Sequence, residues 1–393
     1  MTDIRDDSSV AATPDKVGRS RTGPVGVGVV GAGMISGAYL ENMNAFPDLR
    51  VVMVGNRHVT RARAQAEMFG IAQAGTNDEV IAHPEVELVV NLTTPAVHAT
   101  LSSAALSAGK HVWSEKPIST DRAGARALLD QASEAGLLLG VAPDTVLGAG
   151  LQTARRAIAR GVIGTPLSVS TAIQYPGPEL FHPNPEFLFA EGAGPLFDLG
   201  PYYLTALVHV FGPFSKVAAV GSKGLETRTI RVGDQAGTAF PVAVPTHVSA
   251  IAQFAGGGVA QSVFSFDSPL ARLGIVEIAG TEATMQVPDP NNFGGDVRIT
   301  RATAVENLMK SPEWVTVPSR GTVAGRGIGV VDMARCLRNG GVPMASGELG
   351  YHVLDTMTAL VESMTHGEMV TVTSTVEPVP IVDDDWDPTI ATL

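Results

Sequence analysis

The sequence predicts an α/β protein: a doubly wound parallel sheet in its N-terminal part, then an α+β domain with a mostly antiparallel sheet. Three observations predict it. The apolar run Val25–Val30 leads straight into Gly31-Ala32-Gly33-Met34-Ile35-Ser36. Short apolar runs then alternate with helical patterns as far as residue 141. Beyond residue 160, strand-like runs follow one another without regular helices between them, separated by turns rich in Gly, Pro and Asp.

In the first part, strands are expected at 25–30, 50–55, 87–92, 111–114 and 137–141, and helices at 35–45, 60–69, 96–108 and 121–135. Strands separated by helices of this length form a parallel sheet with right-handed crossovers. In the second part a helix is expected at 150–160, strands at 167–174, 214–222, 246–254, 258–265, 272–279 and 284–287, and helices at 328–338 and 349–365. Runs with few crossovers read as a largely antiparallel sheet with helices on one face. The expected division is a mobile polar tail at 1–22, a nucleotide domain at 23–143, a substrate-binding and oligomerisation domain at 144–375, and an acidic, solvated tail at 376–393.

Composition narrows the function classes. The 393 residues suffice for two domains with ample cores. A chain 45% hydrophobic and 17% charged is globular. Its net charge of -12 argues against nucleic acid and anionic membranes as partners. The single cysteine, Cys336, excludes an internal disulfide and a multi-cysteine metal site, and its apolar helical setting reads as a buried, inert thiol. No His, Asp or Glu spacing resembles a metal site. No apolar run reaches the ~20 residues of a membrane span. Arg19 and Arg21 precede an apolar run, but that run holds the first strand, so it is not read as an export signal. The expected location is the cytoplasm.

A strand that ends in a glycine turn and opens a helix is how a dinucleotide pyrophosphate is held. Gly31 permits the tight turn, Gly33 lets the backbone approach the phosphates, and the helix start at Met34 and Ile35 offers free N–H groups. Ser36 replaces the usual third glycine with another small residue. At the ribose end, the second strand closes on Gly55-Asn56-Arg57-His58. An acidic residue there would repel a 2′-phosphate. Asn56 is neutral and Arg57 cationic, so NAD and NADP both stay open, with a lean to NADP or dual use. Arg57 equally fits a side chain in plain solvent.

Two clusters carry chemistry. Trp113-Ser114-Glu115-Lys116-Pro117 follows a strand of the nucleotide domain, which places Lys116 at the carboxyl edge where ligands bind in open α/β sheets. A lysine there can hydrogen-bond a substrate hydroxyl, and Glu115 can pair with Lys116 or the cofactor. A surface Glu-Lys pair followed by proline is the plain alternative. In the segment 192–203, Asp198 and Tyr202 lie four apart and share a helix face that Thr205 and His209 continue. Pro201 is then expected in the first turn of a helix that starts close to Asp198. The alternative makes Asp198 an N-cap and Tyr202 a packing residue.

Gly31-Ala32-Gly33, Glu115-Lys116-Pro117 and Asp198-Leu199-Gly200-Pro201-Tyr202 stand in the order and spacing of the Gfo/Idh/MocA oxidoreductases, which the chain resembles from about residue 25 to the helix around Tyr351 and His352. The resemblance implies a Rossmann domain joined to a domain built on a large open sheet, through which members form homodimers or homotetramers. It implies that Lys116 is the catalytic lysine and Asp198 the substrate-site aspartate. Many members carry a histidine where Tyr202 stands; those resembling glucose–fructose oxidoreductase and dihydrodiol dehydrogenase carry a tyrosine.

A free tyrosine, with pKa ≈ 10, is a poor base at neutral pH. The Lys116 cation is expected to lower that value, while Asp198 orients a sugar hydroxyl or neutralises Lys116. Tyr202 would then take the hydroxyl proton as hydride moves to the nicotinamide. Further candidates are Thr94, Pro95 and His98 beside the nicotinamide, Asp144 facing the substrate, and Gln174, Tyr175, His182 and His352 as sugar contacts, with His182 in a proline-rich lid loop. Each histidine also fits a packed structural role. The reading is an NAD(P)-dependent oxidoreductase acting on a hydroxyl of a sugar, cyclitol or glycoside. The alternatives are a non-catalytic dinucleotide-binding regulator and a tyrosine-type reductase of dihydrodiols or other carbonyls.

Overall fold

All six residues of the strand Val25–Val30 are buried, as a central strand covered on both faces requires. The computed structural model describes residues 22–301 and 311–393, so the expected N-terminal tail lies, except for Thr22, outside the described residues. The first part runs β1 (Val25–Val30), α1 (Met34–Ala45), β2 (Leu49–Gly55), α2 (Val59–Phe69), β3 (Gln73–Gly75), α3 (Asn77–Ala82), β4 (Leu88–Asn91), α4 (Pro95–Ser107), β5 (His111–Ser114), α5 (Arg122–Glu134) and β6 (Leu139–Val141). The strands form one parallel sheet in the order β3-β2-β1-β4-β5-β6. The order reverses between β1 and β4, and ligands bind in the crevice at such a switch point. Two short elements, β3 and α3, were not expected; α3 is fixed by a capping box between Thr76 and Glu79.

The second part runs α6 (Ala149–Ala159), β7 (Pro166–Gln174), α7 (Gly194–Phe211), β8 (Phe214–Ser222), β9 (Thr227–Thr229), β10 (Ala239–Pro241), β11 (His247–Phe254), β12 (Val259–Ser265), β13 (Arg272–Gly280), β14 (Ala283–Gln286), β15 (Val297–Arg301), β16 (Val315–Val317), α8 (Ile328–Asn339), α9 (Gly347–His366) and β17 (Val370–Thr371). Among the described residues, nine strands form an open sheet in the order β16-β15-β14-β13-β7-β12-β11-β8-β17. All neighbours are antiparallel except β7 and β12. One expectation fails: the strands are not free of intervening helix, because the 18-residue α7 separates β7 from β8. That helix is the one expected around Asp198 and Tyr202, and it is apolar and buried nearly all round.

The helices cover one face of this sheet, over Val169, Val248, Phe264 and Ile278. The pleat sends Val220, Ile251 and Val259 to the other face, where they are exposed. Among the described residues, no helix is long and apolar enough to cross a membrane, and no group of three or more His, Cys, Asp or Glu side chains could hold a metal ion.

The C-terminal segment is not the solvated tail that its acidic run implies. Asp383, Asp384 and Asp385 are exposed, but the backbone on either side is strapped to the body. Arg155 donates to the carbonyls of Val379 and Pro380, both at 2.6 Å, and Arg156 to that of Val382 at 2.7 Å. Arg335 of α8 donates to the carbonyls of Asp387 and Ile390, lies 4.9 Å over the Trp386 ring, and pairs with buried Asp48 at 2.8 Å. Asp48, between α1 and β2, also accepts the N–H groups of Thr392 and Leu393. Guanidinium donors from two helices thus match the free carbonyls of an extended segment, a pairing that residue composition does not reveal.

Arg335→Ala strands the buried Asp48 carboxylate and frees the strap, so it is expected to cost about 3 kcal/mol in a denaturant titration. Trp386 fluorescence should report release of the strap before global unfolding. An unchanged midpoint and an unchanged Trp386 signal would show that the strap contributes nothing.

Candidate active site

The turn after β1 has the backbone its sequence implies. Gly31 has φ +101°, and a Cβ there would lie 2.7 Å from the Leu92 carbonyl carbon, at the end of neighbouring β4. The glycine therefore sits at the switch point itself. Gly33 is the N-cap of α1 and provides no side-chain cap. Nothing lies within 4 Å of where its Cβ would be. Ser36 is fully buried and donates to the Gly33 carbonyl at 2.7 Å, which supports its reading as the small third residue. An open helix N-terminus over an unobstructed glycine fits a dinucleotide pyrophosphate. Met34 has its side chain 73% exposed there, while Ile35 packs against the core. Thr94 is exposed at the start of α4, followed by Pro95 at its first position. Asn56 spends its Oδ1 on the His58 N–H, and Arg57 is exposed beyond it.

Lys116 follows β5 and reaches α7 in the other domain. Its Nζ donates to the Asp198 carbonyl at 2.6 Å and to Asp198 Oδ1 at 3.0 Å, and lies 5.1 Å from the centre of the Tyr202 ring. The three residues expected to act together are therefore together. Burial disfavours the ammonium, but Tyr202, Asp198 and Glu115 outweigh it and hold Lys116 well above its ordinary value. For Tyr202 the balance differs from expectation. Burial pushes the phenol up and wins over the lowering by Lys116 and Arg326. The expected Lys116 effect is present, but it is not the largest.

Glu115 does not hydrogen-bond the Lys116 ammonium. Its Oε1 accepts from the Tyr39 hydroxyl at 2.8 Å and its Oε2 from the Lys116 backbone N–H at 3.1 Å. Trp113 Nε1–H donates to the Tyr39 oxygen in turn, so a buried chain of polar groups fixes the peptide that carries Lys116. His98 braces the same peptide from the other side. It is buried, with Nδ1 2.8 Å from the Pro117 carbonyl and Nε2 2.9 Å from that of Thr93. Both ring nitrogens are thereby engaged, and His98 braces this peptide.

α7 begins at Gly194, and the proline of its first turn is Pro195. Pro201 is inside the helix and Asp198 is not its N-cap, because the first-turn rule belongs to the earlier proline. Pro201 has no N–H for the Phe197 carbonyl four residues back, and Lys116 binds the next carbonyl along.

Three other expected contacts, Asp144, Gln174 and His352, have structural partners. Asp144 is fully buried and faces the start of α8: its Oδ2 accepts the N–H groups of Gly327 at 2.7 Å and Gly329 at 3.3 Å. Burial pushes its carboxyl up to about 6. Gln174 spends its amide on Ser268 and Leu270. His352 is buried, accepts the Phe214 N–H at 2.9 Å, and is pushed by burial down to about 4. His209 is buried beside Arg155 and is pushed far down by burial, then by that charge. Tyr175 is different, because Asp198 lies close enough to raise its phenol further after burial. His182 is half-buried in the loop after β7, its Nδ1 accepting the Asn184 N–H at 3.0 Å.

Sequence reasoning missed Arg326, Asn291 and Tyr39. Arg326 Nη2 donates to the Tyr202 hydroxyl oxygen and to Asn291 Oδ1, each at 3.1 Å. Only its place in Gly325-Arg326-Gly327 before a helical pattern hinted at anything, and nothing linked it to a tyrosine 124 residues away.

Two family models match the chain. Residues 25–142 match an oxidoreductase family with an NAD-binding Rossmann fold, and residues 151–286 match the GFO/IDH/MocA C-terminal domain. The chain belongs to the Gfo/Idh/MocA family of oxidoreductases. It is 28% identical to trans-1,2-dihydrobenzene-1,2-diol dehydrogenase from Bos taurus over 268 residues, covering 67% of this chain and 74% of that protein. It is also 28% identical to 1,5-anhydro-D-fructose reductase from Ensifer adhaerens, over 66% and 74% of the two chains. Among solved structures, levoglucosan dehydrogenase in complex with NADH shares the fold with TM-score 0.77 at 23% identity, covering 89% of this chain and all of that one. An NAD-binding oxidoreductase from Klebsiella pneumoniae shares it with TM-score 0.75 at 21% identity, with the same coverage.

The two glycines separate turn from ligand. Gly31→Ala combines a left-handed φ with a backbone clash, and is expected to destabilise the fold by about 2 kcal/mol or more and to abolish NADH binding. Gly33→Ala meets open space, so its melting temperature should match wild type while NADH fluorescence titration shows weakened binding. Equal NADH affinity in Gly33→Ala and wild type would place the pyrophosphate elsewhere.

Proposed function

We propose that the protein interconverts a secondary hydroxyl and a ketone on a sugar, cyclitol or related polyol, with Lys116 and Tyr202 managing the proton. The observation that carries this reading is the meeting of Lys116 and Tyr202 from different domains at the carboxyl edge of the nucleotide-binding sheet. A bound nicotinamide supplies or accepts the hydride. Lys116, held cationic, donates to the substrate oxygen and steadies negative charge on it. Asp198 shares that ammonium and has a free carboxylate edge for a neighbouring hydroxyl. Tyr202, held neutral by burial, is in the form that gives a proton to a ketone oxygen; the oxidation direction uses its phenolate.

The coenzyme reading stays between NAD and NADP, with a lean to NADP or dual use, supported by neutral Asn56 and exposed Arg57 and Arg61 at the ribose end. A second reading, reduction of a dihydrodiol-type or other carbonyl, is favoured by Tyr175, which packs on Phe181 and Phe266 beside Asp198. We further propose a homodimer or homotetramer joined through the open sheet, supported by the exposed Val220, Ile251 and Val259.

A nicotinamide absorbance screen over inositols, monosaccharides, anhydrosugars and a dihydrodiol, with both coenzymes, is expected to find turnover on a polyol. Lys116→Met should lower kcat at least about a hundredfold while NADH still binds. Near-normal kcat in that variant would remove Lys116 from the chemistry. Sedimentation velocity should show a dimer or larger; a monomer at micromolar concentration would overturn the interface.

A further inference from the structure

Tyr202 is flanked by two cations, and the one that hydrogen-bonds its hydroxyl is Arg326, not Lys116. Arg326 Nη2 donates directly to the phenol oxygen at 3.1 Å, and its guanidinium carbon lies 5.4 Å from the ring centre. Lys116 faces the ring, with two of its three N–H donors on Asp198. We propose that Arg326 is a positioning residue for this reaction, holding the Tyr202 phenol beside Lys116 and favouring its anionic form. The inference rests on the proton-transfer role proposed for Tyr202.

The surroundings fix Arg326 in place. Asn291, in the loop after β14, accepts from the same Nη2 at 3.1 Å. Asp144 binds the N–H groups of Gly327 and Gly329 directly after it. Earlier in the same loop, the Arg320 backbone bonds Thr153 and Arg156 of α6. An arginine kept for packing alone would spend all its donors when buried. Arg326 Nη1 is buried and has no partner among the described residues, so the side chain is spent on the tyrosine and asparagine at one nitrogen only.

The groups facing Tyr202 set the sign. From the end of β5 come Lys116 and Glu115, from α7 Asp198, and from the loop before α8 Arg326. Lys116 and Arg326 favour the phenolate; burial, Glu115 and Asp198 oppose it. Asp198 offsets the Lys116 charge, whereas Arg326 itself faces Glu115, Asp144 and Tyr39. Because an N–H occupies one lone pair of the phenol oxygen, its own O–H is left to point at a substrate.

The test is the ionisation of Tyr202, read as the ultraviolet difference titration of the five-tyrosine protein minus its Tyr202→Phe variant. Arg326→Met should move that ionisation up by about one pH unit, and Arg326→Lys, which keeps the charge, should leave it near wild type. Asn291→Ala, which loosens the guanidinium, should give a smaller shift in the same direction. The break in the pH profile of kcat/KM for the fastest polyol of the screen should move with it. An unchanged Tyr202 ionisation in Arg326→Met that is folded by circular dichroism overturns the inference. If Arg326→Met does not fold, an unchanged ionisation in Asn291→Ala overturns it instead. The titration needs no substrate, so a wild type that turns over no polyol defeats the proposed reaction while the Arg326–Tyr202 coupling is still measured.

Discussion

One ammonium joins the two halves of this molecule. Lys116 leaves the end of β5 and places its charge on the carbonyl and carboxylate of Asp198, 82 residues further on in α7. Taking a lysine out of water is costly, and the cost is offset only when several acceptors converge on it. Here a backbone carbonyl, a carboxylate and the face of a tyrosine ring do so. Much else serves that placement. Glu115 holds the Lys116 N–H, Tyr39 and Trp113 hold Glu115, and His98 ties the following peptide to the end of β4. The nucleotide crevice and Lys116 thus belong to one strand edge.

The far wall of the site is held as firmly, by different means. α8 belongs to the second half of the chain, yet Arg335 and Arg338 bind Asp48 and Glu87 at the bottom of the parallel sheet. Asp144 fixes the start of the same helix and so the loop that carries Arg326. Two cations, Lys116 and Arg326, share the buried cluster with Asp198, Glu115 and Asp144. Burial pushes the Asp144 carboxyl up to about 6.

The fold was legible because its signals are local. An apolar run, a Gly31 turn and a helix are set within a dozen residues, and the spacing of Asp198 and Tyr202 states its own geometry. Asp198 and Tyr202 share a helix face as that spacing implies, and Lys116 joins them as the family resemblance implies. What was not legible depends on distant pairing. Arg326 and Asn291 reach Tyr202 through loops whose course no periodicity records. The strap is extended backbone bound by arginines from two helices, and its sequence looks like any acidic end. Several polar residues near strand ends that were read as ligand contacts hold backbone groups in the structure. At the edge of a sheet, backbone groups also need partners, and Asp144, His98 and His352 serve them.

The central claim is that one substrate oxygen is shared by the lysine of one domain and the tyrosine of the other. A crystal structure of the protein with NADH and a polyol that it turns over tests this most directly. The account predicts one substrate oxygen within about 3 Å of both Lys116 Nζ and the Tyr202 hydroxyl, on the carbon facing the nicotinamide. A polyol bound over the nicotinamide with either group out of hydrogen-bonding reach would contradict it.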